Sequence, residues 1–97
     1  MDELEFEWNS LKAEANERKH GISFEEAESV FYDDYARLIP DPDHSIGEER
    51  FLLLGVSEVS RLLVVVHLYK QNDRLIRIIS ARPATKPERQ QYEELLP

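Results

Sequence analysis

The sequence predicts an α+β fold, and three observations carry the prediction. A run of β-favouring residues extends from Arg50 to Ala81, broken only by short turn-like segments. Two helix-start signatures, Ser23-Phe24-Glu25-Glu26 and Thr85-Lys86-Pro87-Glu88, flank it on either side. Ahead of it the apolar residues switch from alternate spacing (Leu4, Phe6, Trp8) to helical spacing (Phe24, Ala27, Val30, Phe31).

The elements follow in order. Leu4-Glu5-Phe6-Glu7-Trp8 alternates apolar and acidic residues and reads as a short edge strand with one buried face. Asn9 or Ser10 caps a first helix to about Lys19, with Leu11 and Ala15 inward, Trp8 as a hydrophobic staple and Gly21 as a left-handed stop. Ser23 and Glu26 form a capping box at the head of a second short helix that ends near Tyr32. Residues 35–39 read as a strand, and the prolines, acids and glycine of residues 40–49 as a loop. Strands at residues 50–56, 61–69 and 74–81 are joined by turns at residues 57–60 and near Gln71-Asn72, so an antiparallel meander of three to four strands is expected. Thr85 and Glu88 box the start of a terminal helix, Pro87 falls in its first turn, and Tyr92, Leu95 and Leu96 supply an apolar stripe.

A chain of 97 residues suits a single domain over residues 1–97, which excludes a two-domain enzyme. Without cysteine there is no disulfide framework, no thiolate nucleophile and no Cys-rich zinc site. The acidic opening and the short apolar runs predict a protein neither exported nor membrane-inserted, hence cytoplasmic. A net charge of −8 argues at first against nucleic acid, but it is unevenly spread. Residues 1–49 hold 15 acids against four basic residues, a net of −11, whereas residues 50–97 hold eight basic residues against five acids, a net of +3. The whole-chain sign therefore does not settle the partners: a nucleic acid, if bound, is expected on the second half, and the acidic first half is a candidate surface for a basic partner.

The loop acids Asp41, Asp43, Glu48 and Glu49, with His44, fit no metal-ligand spacing and read as a solvated turn, so no metal and no cofactor are expected. His20 suits a helix C-cap as well as a catalytic role, and Lys12, Asn16 and Lys19 form one polar stripe that is either solvated or a substrate or partner surface. Arg61, His67 and Tyr69 share a strand face; with three residues in the next turn, His67 falls opposite Arg77 on the open face of the sheet. Arg82, Arg89 and Tyr92 follow. RNA cleavage needs a base for the 2′-OH, cations for the pentacovalent phosphorus and an acid for the leaving oxygen. His67 can serve as acid or base, Arg77 and Arg82 can hold the phosphate, and Glu49 or Tyr92 can complete the set.

Phe6-Glu7-Trp8, Lys12, Asn16, Lys19-His20-Gly21-Ile22-Ser23-Phe24-Glu25-Glu26-Ala27, Asp41-Pro42-Asp43-His44-Ser45, Gly47-Glu48-Glu49-Arg50-Phe51 and Ile76-Arg77-Ile78-Ile79-Ser80-Ala81-Arg82, leading to Glu88-Arg89 and Tyr92, together resemble the BrnT family of toxins over nearly the whole chain. The resemblance implies a ribonuclease toxin of a type II toxin–antitoxin system with a RelE-like α+β fold. It implies a ribbon-helix-helix antitoxin of the BrnA kind, a heterotetramer with that antitoxin, and contact with DNA only through it. Lys12, His20, Arg50, Arg77 and Arg82 match family motifs. The expected site set is therefore His67, Arg77, Arg82, Arg50, Glu49 and Tyr92 for chemistry, with Arg61, Arg89, Lys12 and His20 for RNA binding. Two departures stand out: the chain is acidic where RelE-like nucleases are basic, and Pro83 replaces an expected basic residue. The alternative reading is a non-catalytic co-repressor that acts only in complex with a DNA-binding antitoxin.

Overall fold

A computed structural model describes residues 4–42 and 48–97. The chain runs β1 (Glu5–Glu7), α1 (Ser10–His20), α2 (Phe24–Ser29) with a 3-10 turn at Val30–Tyr32, β2 (Arg37–Pro40), β3 (Phe51–Val56), β4 (Leu62–Lys70), β5 (Leu75–Pro83) and α3 (Lys86–Glu94). The strands form one sheet in the order β1-β5-β4-β3-β2. From β2 to β5 every pairing is antiparallel, as short connections demand, while β1 lies parallel to β5 on the far edge.

The helix ends obey their local chemistry. Asn9 accepts the Lys12 N–H, Ser23 accepts the Glu26 N–H, and Gly21 closes α1 in the left-handed region at φ 71°. Thr85 and Glu88 complete both halves of the second capping box. The first box is only half made, because the Glu26 carboxylate turns inward to Ser57 and Arg61 instead of back to its own cap. Three successive left-handed residues, Gln71, Asn72 and Asp73, turn the chain from β4 to β5.

One face of the sheet packs against α1 and α2. Its core contains Ile22, Phe24, Ala27, Val30, Leu53, Leu63, Val65, Ile76, Ile78 and Ala81, with Phe6, Trp8 and Ala13 against it. α1 presents Ala13 and the buried Asn16 to this core; Leu11, expected inward, is 75% exposed, and Ala15 is exposed as well. The helix is thus turned so that its inward stripe is polar. Asn16 repays this by donating to the Ile22 and Ala81 carbonyls (3.0 and 2.9 Å) and accepting the Ala81 N–H (3.0 Å), satisfying three main-chain groups at once.

The other face carries a smaller core, Leu54, Leu62, Val64 and Tyr92, under α3. Tyr92 is the inward residue of that helix; Leu95 and Leu96, expected beside it, lie past the helix end and are exposed.

Candidate functional site

The turn between β4 and β5 leaves four residues unpaired, since Lys70 faces Leu75. His67 therefore opposes Ile78, and Arg77 opposes Leu68, so the expected His67–Arg77 pair does not form. One extra loop residue moved the register by one and sent the two side chains to opposite faces. His67 points into the core and is completely buried, with Phe31 edge-on at 4.8 Å. Its Nδ1 lies 3.1 Å from the Val65 carbonyl and its Nε2 lies 3.2 Å from the Tyr69 hydroxyl, so Nδ1–H donates and Nε2 accepts. Burial pushes its pKa below the usual histidine value, which keeps the ring neutral.

A second register change decides the opposite face. Val66 pairs with Ser80 while His67 pairs with Ile78, so Ile79 is an extra residue bulged from β5. Arg77 and Arg82, five apart and on opposite faces of a regular strand, are brought by this bulge to the same one, opposite Leu68 and Val64 respectively. Because Leu68 and Val64 are four residues apart on β4, about 13 Å of sheet separates them at the usual rise of 3.3 Å per residue.

Each arginine meets a carboxylate. Arg77 donates to Glu7 on β1 at 2.7 Å, and Lys70 donates to the same Glu7 oxygen at 3.1 Å. These two cations, Arg77 foremost, hold the Glu7 carboxyl below the ordinary glutamate range. Arg82 forms a two-pronged pair with Glu88 at 2.8 and 2.9 Å, which holds that carboxyl down at about 2. The remaining cations divide. Arg61 is clamped by Glu26 and donates to the Gly21 carbonyl at 3.1 Å, joining the β3–β4 turn to the helices rather than lining the open sheet face. Arg50 pairs with Glu48 at 2.7 Å. Arg89 is exposed on α3; Lys12 is exposed and His20 half-buried on α1, across the sheet from Arg77 and Arg82.

The charge division along the sequence is therefore not a division of surfaces. Arg61, Lys70 and Arg77 of the second half are neutralised by Glu26 and Glu7 of the first. Among the described residues, Arg74, Lys86 and Arg89 are the cations of the second half without an ion pair.

Tyr92 donates its hydroxyl to Asp33 Oδ2 at 2.7 Å beneath α3. Burial, and then Asp33, push the phenol up to about 12. Burial would raise Asp33 in turn, but the Val56 N–H, the Tyr92 hydroxyl and the Tyr35 N–H together bring it below its usual value. Gly55 makes room for this junction: a Cβ there would come within 3.0 Å of Asp33 Oδ2 and 2.9 Å of Val30. Glu49 is exposed and lines a cleft at the ends of β3 and β4 with Leu38, Glu48, Phe51, Leu68, Tyr69, Lys70 and Asp73. Asp43 and His44 lie outside the described residues.

The expected set is thus divided. Arg77 and Arg82 share one face, Glu49 sits at the cleft, Tyr92 is committed to Asp33, and His67 is sealed in the core. Glu7 and Lys70 were not anticipated. Alternation placed Glu7 away from the half-buried Phe6, but only the parallel pairing of β1 with β5 puts it opposite Arg77.

A family model described as ribonuclease toxin, BrnT, of type II toxin–antitoxin systems matches residues 8–88. The crystal structure of the Brucella abortus ribonuclease toxin BrnT is similar in fold, with a TM-score of 0.66 and 20% sequence identity over 87% of this chain and 100% of that one. No curated protein sequence matches the chain.

Proposed function

The chain belongs to the BrnT family, the ribonuclease toxins of type II toxin–antitoxin systems, and from that premise we propose that it cleaves single-stranded RNA on the sheet face bearing Arg77 and Arg82. The observation that carries this reading is the Ile79 bulge, which aligns the two arginines along β5. In this reading the two arginines hold different phosphates of one strand. The reacting phosphate belongs at Arg77 and Lys70, two cations that meet at one carboxylate oxygen and can stabilise the charge developing on phosphorus. Glu7, kept ionised by Arg77 and Lys70, takes the 2′-OH proton in this reading. The attacking 2′-oxygen forms a bond to phosphorus as the bond to the 5′-oxygen breaks, and a protonated donor such as Lys70 or water returns a proton to the leaving oxygen. Arg82 and the exposed Arg89 extend the track. His67, sealed in the core, takes no part in this scheme.

Type II membership implies an antitoxin partner. A basic, BrnA-like ribbon-helix-helix protein, assembled with the toxin as a heterotetramer and carrying the DNA contact, fits the net charge of −8 on the chain. Among the described residues no helix is long and apolar enough to cross a membrane, and RNA as substrate favours action in the cytoplasm.

The test is the double substitution Arg77→Ala with Arg82→Ala. Growth arrest and RNA cleavage by the antitoxin-free protein are expected to be lost while circular dichroism stays native and the melting transition stays cooperative, lowered only by loss of the Arg82–Glu88 pair. A folded double variant that remains fully toxic would overturn the reading.

A further inference from the structure

The cleft beside Lys70 differs in character from the arginine track. Phe51 and Tyr69 stand in its wall with their rings edge-to-face, 5.4 Å between centroids, and Leu38 and Leu68 complete the apolar part. Tyr69 cannot swing freely, because its hydroxyl is tied to the buried His67 at 3.2 Å. The wall is therefore an aromatic surface fixed in advance, which is the requirement for stacking an unpaired nucleobase. The polar rim is Glu48, Glu49, Asp73 and Lys70. Glu48 is occupied by Arg50 at 2.7 Å, whereas Glu49 has no hydrogen-bond partner among the described residues. The carboxylates do not converge as ligands: among the described residues no group of three or more acids or histidines is placed to hold a metal ion.

We infer that this cleft is a guanine-binding subsite and that Glu49 reads the base. Of the four RNA bases only guanine offers two adjacent donors, N1–H and the N2 amino group, on its Watson–Crick edge, and a single carboxylate accepts both. Adenine, cytosine and uracil each set an acceptor beside their donor and so turn a lone pair toward the carboxylate. Lys70 belongs both to the rim of the cleft and to the Glu7–Arg77 cluster. A base held in the cleft therefore brings its own phosphate to the cations. The inference rests on the proposed nuclease reading for that last step, but base binding stands apart from it.

Two measurements separate the possibilities. Purified, antitoxin-free protein is given uridine oligomers containing a single guanosine, inosine or adenosine, and cleavage is mapped. Cleavage next to guanosine is expected to exceed that next to adenosine by roughly 100-fold or more, with inosine, which lacks the N2 amino group, between them. Glu49→Gln is expected to bring the guanosine-to-adenosine ratio close to one, because the amide replaces one acceptor by a donor. In parallel, guanosine and adenosine 5′-monophosphates are titrated against the wild type and Tyr69 fluorescence or its ring resonances are followed. Tighter binding of the guanosine nucleotide, weakened at least tenfold by Glu49→Gln, is expected. Cleavage indifferent to the base leaves the nuclease reading standing and overturns the subsite, as does an unchanged preference in the Glu49 variant. Guanine-selective binding without any cleavage supports the subsite and overturns the nuclease reading instead.

Discussion

Arg82 and Glu88 hold each other by two parallel hydrogen bonds of 2.8 and 2.9 Å, and the same Glu88 closes the capping box at the head of α3 by accepting the Thr85 N–H at 2.8 Å. One carboxylate thus starts a helix and occupies the guanidinium assigned to an RNA phosphate.

Glu88→Gln separates these duties, since a glutamine oxygen can still accept the Thr85 N–H but brings no charge. RNA affinity is expected to rise several-fold, with the log–log salt slope steeper by about one. The sign for stability is opposite. The Glu88 pKa is lowered by folding, so its stabilisation is present above the unfolded glutamate value of 4.5 and is lost as pH falls toward about 2. Urea midpoints of the wild type and the variant should therefore differ at pH 7 and converge near pH 2. Unchanged RNA affinity would show that Glu88 does not compete for Arg82.

His67 works in the other direction from most histidines that find partners. Its folded pKa is depressed by burial, so the unfolded chain binds the extra proton first, and stability present above about pH 6.5 is lost as pH falls through that value toward the folded pKa. Removing the imidazole in His67→Phe should flatten this part of the stability–pH curve. The pH–rate profile of RNA cleavage should keep its shape in the variant, because the ring does not reach solvent. Loss of an ionisation from that profile would return His67 to the chemistry.

Asn16→Ala strands the Ala81 N–H and leaves two buried carbonyls without their donor. A loss of about 2–4 kcal/mol follows from the usual cost of unsatisfied buried groups, read from urea denaturation. Exchange of the Ala81 amide hydrogen should quicken with it. A loss under 1 kcal/mol would mean that water fills the position at little cost.

Association with a basic antitoxin should slow as ionic strength rises, because the chain carries a net charge of −8 whose field is screened beyond a Debye length of about 8–10 Å. Stopped-flow rates between 50 and 500 mM salt test this; a rate indifferent to salt would rule out steering by that charge.

The parts legible in the sequence are those whose signals are local. Asn9, Ser23 and Thr85 each cap the helix that follows, and Gly21 stops α1, because capping involves residues only three or four apart. The alternation around Phe6 identified an edge strand, and short turns identified an antiparallel meander. The orientation of α1 was not legible: Leu11 and Ala15 make as good an apolar stripe as Ala13, and only the presence of the Ala81 main chain opposite selects Asn16 for the interior.

By itself the sequence determined which segments become helix and strand, where each begins, and, through its motifs, the kin of the chain. Tertiary structure decided which side chains share a surface. A fourth residue in the β4–β5 turn set Arg77 opposite Leu68, on the face away from the buried His67, and the bulge at Ile79 turned Arg82 to the face of Arg77. In a strand of period two a single-residue shift reverses every side chain. The partners of the charges were decided in the same way, since Glu7 meets Arg77 across 70 residues of chain only because β1 lies against β5.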